Sequence, residues 1–318
     1  MKSGFTGLIA APFTGMDPDG GLNLNLIERQ ARSLAANRVR GAFICGTTGE
    51  GLSLTTAERM QVAERWAAVA PQELKLIVHV GHNSIEESQT LAAHAEKIGA
   101  HAFATIGPTF FRPGSTTQLV SFCAQVAAGA PRLPFYYYHM PAITGVNPPM
   151  EEFLRLAGKR ITNFAGVKFT DENLMAYAQC LNFEGGRFNI LFGRDEILLA
   201  ALALGATGAV GSTYNYMAPL YHRLLAAFQS GDLAEARRCQ LAVIAIIAVM
   251  NRHGGLPAGK AMMKLIGLDC GPVRPPLRNL TPAECETLER ELAAVGFPLP
   301  ETPADAGRVA ERRLEQPA

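Results

Sequence analysis

No apolar run in this sequence is long enough to cross a membrane. The longest, Leu241 to Met250, is about half of the roughly 20 residues a spanning helix needs. Charge of either sign is not in excess: 29 basic and 28 acidic residues leave a net charge of +1, and the basic ones are scattered. The sequence therefore offers no electrostatic footprint for nucleic acid or an anionic membrane. The six cysteines (45, 123, 180, 239, 270 and 285) stand far apart, with no CxxC pair. That sets aside a disulfide framework and favours reduced thiols in a cytoplasmic enzyme. No GxGxxG follows the first apolar run and no GxxxxGK[ST] occurs, so dinucleotide and P-loop readings lose their usual support. Met1 to Phe5 hold one basic residue and no apolar leader core, and a cytoplasmic location is the expectation. Lysine is scarce as well, with seven residues against 22 arginines.

What is present is a chain of 318 residues, 48% hydrophobic and 18% charged, ample for a large core. Short β-branched or apolar runs alternate with longer amphipathic ones, the pattern of βα units and a parallel sheet. The candidate strands are 7–12, 41–45, 76–80, 102–106, 133–137, 164–168, 188–192 and 208–211. Helical stretches between them fall near 23–38, 55–70, 84–98, 116–129, 149–158, 171–180 and 195–204, with Thr55, Ser84 and Asp171 as candidate caps. Eight strands at such intervals predict an α/β fold of the (β/α)8 barrel type rather than an open doubly wound sheet. After about 215 only helical runs follow, at 217–229, 232–252, 257–266 and 281–294. The expected organisation is a barrel core over 1–215, a helical C-terminal extension over 216–296 and a disordered tail over 297–318, rich in Pro, Ala, Glu and Arg.

In such a barrel, reactive groups sit at the C-terminal ends of strands and in the loops that follow. Lys168 ends the apolar run Phe164-Ala165-Gly166-Val167-Lys168. An amine near an apolar core loses the hydration that favours its protonated form, and a free amine attacks ketones to form a Schiff base. The plain alternative is a strand-end lysine whose stem packs while its head reaches water. Thr47 and Thr48, flanked by glycines, offer hydroxyls and backbone N–H groups to a carboxylate, or a turn that caps the next helix. Tyr138 is a candidate proton carrier or a core aromatic. Tyr136, Tyr137 and Tyr138 cannot all face one way along a strand, so at least one is structural. Asp195 and Glu196 can bind hydroxyls, though Asp195 can equally cap a helix; Ser212 carries a similar, weaker expectation. His79 and His82 lie three apart, but no cysteine or carboxylate set completes a metal site.

Taken together, GTTGE (46–50), YHMPAITGV (138–146), GVKFT (166–170), GRDE (193–196) and GSTYN (211–215) resemble the dihydrodipicolinate synthase/N-acetylneuraminate lyase superfamily of class I aldolases. The resemblance runs from about residue 5 to 295. GTTGEGLSL (46–54), LPFYYYH (133–139) and GATGAVGSTYNY (205–216) look most like its N-acetylneuraminate lyase branch. It implies a (β/α)8 barrel with a helical extension, a homotetramer, and chemistry that uses neither metal nor organic cofactor. Lys168 would then be the Schiff-base lysine and Tyr138 the proton-handling tyrosine. Thr47 and Thr48 would bind the pyruvate carboxylate, and Thr170, Gly193, Asp195, Glu196 and Ser212 the sugar's hydroxyl tail. The implied reaction is reversible cleavage of N-acetylneuraminate to pyruvate and N-acetylmannosamine, with another 2-keto-3-deoxy sugar acid as the alternative substrate. A non-catalytic barrel that binds a keto acid or sugar is a third reading, against which the full Lys, Tyr and Thr-Thr set argues. Two positions depart from the pattern. Ile143 stands where dihydrodipicolinate synthases carry a carboxylate-binding arginine, which disfavours that activity. Phe110 stands where many members place a relay tyrosine across a subunit interface. Arg194, inside the GRDE segment, leaves the sugar preference open.

Overall fold

The structure, a computed structural model, describes residues 4–298. Eight strands carry the first two thirds of the chain: β1 Gly7–Ala10, β2 Gly41–Ile44, β3 Lys75–His79, β4 Ala102–Ile106, β5 Phe135–His139, β6 Phe164–Phe169, β7 Asn189–Phe192 and β8 Gly208–Gly211. Between them lie α1 Leu26–Ala36, α2 Thr56–Val69, α3 Ile85–Lys97, α4 Thr116–Ala128, the short α5 Pro141–Thr144, α6 Met150–Arg160, α7 Leu174–Asn182 and α8 Leu198–Ala203. After β8 come α9 Tyr214–Gln229, α10 Leu233–Arg252, α11 Leu256–Leu265 and α12 Pro282–Ala294. Each strand pairs in parallel with the next, and β8 pairs with β1, which closes the barrel. The expected (β/α)8 fold with C-terminal helices is therefore the observed one.

Alternation along the strands divides the core in two. Ile9, Phe43, Ile77, Ala104, Tyr136, Tyr138, Leu191 and Val210 point into the barrel and pack on one another. Their neighbours, such as Ile44, Val78, Tyr137, Val167 and Phe192, point outward and form the larger layer beneath the helices. This is the period-two pattern of a sheet covered on both faces. It answers the tyrosine question directly: Tyr136 and Tyr138 face inward and Tyr137 faces out. The lower end of the barrel is organised by Asn189, whose Oδ1 accepts from Tyr136 Oη (2.9 Å) and from Phe5 N–H (3.1 Å).

Three local expectations are corrected. The fifth strand is Phe135–His139 rather than 133–137, because the aromatic run Phe135-Tyr136-Tyr137-Tyr138-His139 ladders fully onto β6. Tyr138 is thus inside the strand, not in the loop after it. Strand six likewise runs one residue past Lys168, to Phe169. The cap of α7 is Asn173, which accepts from Ala176 N–H at 3.0 Å; Asp171 instead accepts from Asn173 N–H, in the turn before the helix. At α2 the expected cap Thr55 holds, and it forms a reciprocal capping box with Glu58. Of the tail expected over 297–318, residues 299–318 lie outside the described residues.

Candidate active site

Lys168 sits directly opposite Tyr138 in the β5–β6 ladder. Because both residues fall on the inward phase, their side chains meet inside the barrel near its C-terminal end. Lys168 is 5% exposed. Its Nζ stands 3.8 Å from the centre of the Tyr138 ring and 4.3 Å from that of Phe43. The phenol oxygen of Tyr138 lies 3.3 Å from Thr47 Oγ1, and its hydroxyl donates to Met140 Sδ at 2.9 Å. A thioether is a weak acceptor, so this hydrogen bond does little to fix the phenol's hydroxyl.

A cavity of about 150 Å³ opens over this pair. Its lining includes Thr47 and Thr48 from the loop after β2, Thr170 after β6, Gly193 to Glu196 after β7, and Ser212 and Thr213 after β8. All nine residues singled out from the sequence therefore border one cavity with Lys168 at its floor. Gly193 is small for a reason: a β-carbon there would fall 1.9 Å from Thr170 Oγ1. That hydroxyl is buried without a protein partner, facing the space that Gly193 leaves.

Asp195 is held by the loop after β8. Its Oδ2 accepts from Thr213 N–H (3.0 Å) and from Thr213 Oγ1 (2.6 Å). Thr213 is thus a supporting residue that motif reading passed over. Asp195 begins a 3-10 turn ahead of α8 rather than capping a regular helix, and Arg194 at the rim pairs with the Glu172 carboxylate and lies 3.9 Å from that of Glu196. Burial, reinforced by Glu196, pushes the Asp195 carboxyl up from 3.8 to about 6, against the Thr213 hydrogen bonds and the charge of Lys168. The folded protein therefore holds this proton more tightly than the unfolded chain does. Its stabilising contribution is complete below about pH 3.8 and is lost as pH rises through about 6. Asp195→Asn removes the titration, so the variant's melting temperature minus that of the parent should rise between about pH 4 and 6 and level off above that. Melting curves that stay parallel across that range would refute the assignment.

The signature of the dihydrodipicolinate synthetase family matches residues 4–295. The chain belongs to that family. N-acetylneuraminate lyase of Mus musculus is 43% identical over 301 residues, covering 93% of this chain and 94% of that protein. The Gallus gallus protein of the same name is 43% identical over 297 residues, with 92% and 96% covered. Among solved structures, Proteus mirabilis N-acetylneuraminate lyase superposes with a TM-score of 0.90 at 44% identity, covering 92% of this chain and 99% of that one.

Within this member of the dihydrodipicolinate synthetase family, the two departures from pattern both lie at the surface. Ile143 is half exposed in α5, and Phe110 is 76% exposed, packed edge-on against the equally exposed Phe111 with ring centres 4.7 Å apart. His79 and His82 do not converge: His82 accepts from Ser84 N–H, whereas His79 is buried inside the barrel. Among the described residues no three His, Cys, Asp or Glu side chains gather as metal ligands.

Several neighbours of the amine escaped sequence reasoning. Phe43 and His79 each contact the Tyr138 ring edge-on, at 5.5 and 5.8 Å. His79 Nδ1 lies 3.0 Å from the Cys45 carbonyl. Burial first, and then the charges of Arg59 and Lys168, hold its imidazole well below the ordinary histidine range and so neutral. The inward phase of β2 and β3 was the available signal for both. Ile247 and Met250 of α10 close one wall of the cavity; nothing in the helical periodicity of that segment marks them as site residues.

Proposed function

We propose that the protein reversibly cleaves N-acetylneuraminate to pyruvate and N-acetylmannosamine through an imine on Lys168. The observation that carries this reading is a buried amine stacked on a phenol, with that phenol in reach of Thr47, all facing one cavity. The likeness to the lyases above supports the choice of substrate.

Lys168, as the free amine, adds to the C2 ketone of the open-chain acid, and loss of water gives an iminium. Thr47 and Thr48 hold the adjacent carboxylate, which fixes the reacting carbon against the nitrogen. Tyr138 takes the proton of the C4 hydroxyl as the C3–C4 bond breaks. The electron pair of that bond moves into the iminium, leaving an enamine and releasing N-acetylmannosamine. Protonation at C3 and addition of water then return pyruvate and the amine. Thr170, Gly193, Asp195, Glu196 and Ser212 receive the hydroxyl tail. An aldehyde that cannot satisfy these polar groups leaves them unpaired and is rejected.

Borohydride reduction in the presence of pyruvate tests the reading directly. Digestion and mass mapping should find one adduct, on Lys168. An adduct on another lysine, or none, would sink it. The protein is further read as a cytoplasmic homotetramer, for which the exposed Phe110 and Phe111 rings offer apolar contact surface; sedimentation at several concentrations would test the assembly.

A further inference from the structure

We infer that Lys260, on α11 of the C-terminal helices, is a positioning residue that sets the carboxylate-binding loop of the active site. The inference rests on the reading that Thr47 and Thr48 hold the substrate carboxylate.

The loop Gly46-Thr47-Thr48-Gly49-Glu50-Gly51 closes on itself, with Glu50 N–H donating to the Thr47 carbonyl and Gly51 N–H to that of Gly46, each at 3.0 Å. The fold back is tight: a β-carbon on Gly51 would fall 1.9 Å from the Cys45 carbonyl oxygen. Glu50, which ends the turn, has φ of 55°, a left-handed conformation that a residue with a β-carbon disfavours. Something outside the loop must hold it there, because a conformation of this kind persists only where its surroundings over-determine it.

The Glu50 carboxylate supplies that hold. Its Oε1 lies 2.8 Å from Lys260 Nζ, with the two side chains 2% and 3% exposed. The contact is a charge pair rather than a hydrogen bond, and among the described residues Oε1 has no hydrogen-bond donor. Its Oε2 accepts from Arg274 N–H at 2.7 Å. Lys260 Nζ also donates to the Pro272 carbonyl at 2.6 Å, and the Arg274 guanidinium donates to Glu58 and to the carbonyls of Ser53 and Gly20. The loop that carries Thr47 and Thr48 is therefore tied to α11 and residues 272–274 through one buried charge pair. None of these groups lines the cavity, and the chemistry proposed above uses none of them. A buried ion pair between well-packed elements is a poor source of stability and a good source of register. Here the register it fixes is that of two hydroxyls relative to Lys168.

The test compares imine trapping on Lys168 with pyruvate and with pyruvamide, which keeps the ketone and lacks the charge. In both cases the amine adds to the ketone, water leaves, and borohydride reduces the C=N bond. Lys260→Met should slow trapping of pyruvate about tenfold or more while leaving pyruvamide within about twofold, since displacing a binding group costs only the ligand that uses it. Equal slowing of both ketones would mean general loosening and would overturn the proposal, as would an unchanged ratio. Lys260→Met strands a buried carboxylate, so the same ratio is to be read in Glu50→Gln/Lys260→Met, which removes both charges. Lys260→Arg keeps the charge and should fold, with a shift of about threefold. An unshifted ratio in whichever variants fold overturns the inference. Thr47→Ala/Thr48→Ala separates the two claims. If that variant retains the parental preference for pyruvate, the carboxylate reading itself fails; if it loses the preference and the Lys260 variants do not, only the role of Lys260 fails.

Discussion

Replacing Lys168 by methionine should abolish sialic acid cleavage, a loss on the order of 10⁴-fold or more in kcat, because it is the one lysine among the described residues lining the cavity. No pyruvate adduct should survive borohydride treatment. The fold should tolerate the change. Methionine has nearly the length of lysine and is at home in an apolar slot. What the parent loses is the contact of Lys168 Nζ with the Phe43 and Tyr138 faces, worth about 1 kcal/mol at most, or roughly 1 to 2 °C in melting temperature for a chain of this length. Measuring kcat and melting temperature together checks both halves. Residual cleavage within about tenfold of the parent would remove Lys168 from the mechanism.

Tyr138→Phe should lower kcat by about 10²- to 10⁴-fold, the usual range for losing a positioned proton carrier. Pyruvate trapping should fall much less, because imine formation leaves the C3–C4 bond untouched. The phenyl ring still packs against Phe43 and His79 and still faces Lys168, so the barrel should keep its shape. Among the described residues, what is removed is the hydroxyl's contacts with Thr47 Oγ1 and Met140 Sδ. Stopped-flow trapping alongside steady-state cleavage distinguishes the cases. Equal loss in both would make Tyr138 a packing residue rather than a proton carrier.

The barrel was legible because strand and helix periods differ so plainly. Runs such as Ala102–Ile106 and Gly208–Gly211 end where turn residues begin, and these two bounds were read without error. The fifth strand was displaced by two residues because Leu133 and Pro134 extend the apolar run without joining the ladder, which begins at Phe135. The site residues were legible as motif fragments at strand ends, since a closed barrel brings all such ends to one rim. The support beneath them was not. His79 drew notice only beside His82, as a metal pair that was set aside, and nothing in the sequence marked its neutral ring as packing against Tyr138. Lys260 and Glu50 are separated by 210 positions, and no local pattern links an internal helical lysine to a turn glutamate. The contribution of α10 to the cavity wall was invisible for the same reason, because packing between distant segments leaves no periodic trace.

The amine and the phenol are neighbours across a single hydrogen-bonded ladder, whose two strands stand about 4.8 Å apart, as in any sheet. Their separation is thus a property of the backbone, insulated from change in the loops above. Arg194, Glu196 and Ser212, by contrast, stand on segments beyond the strand ends. On the proposed reading, exchanging those outer groups can change which sugar is accepted while the Lys168–Tyr138 pair below keeps its spacing.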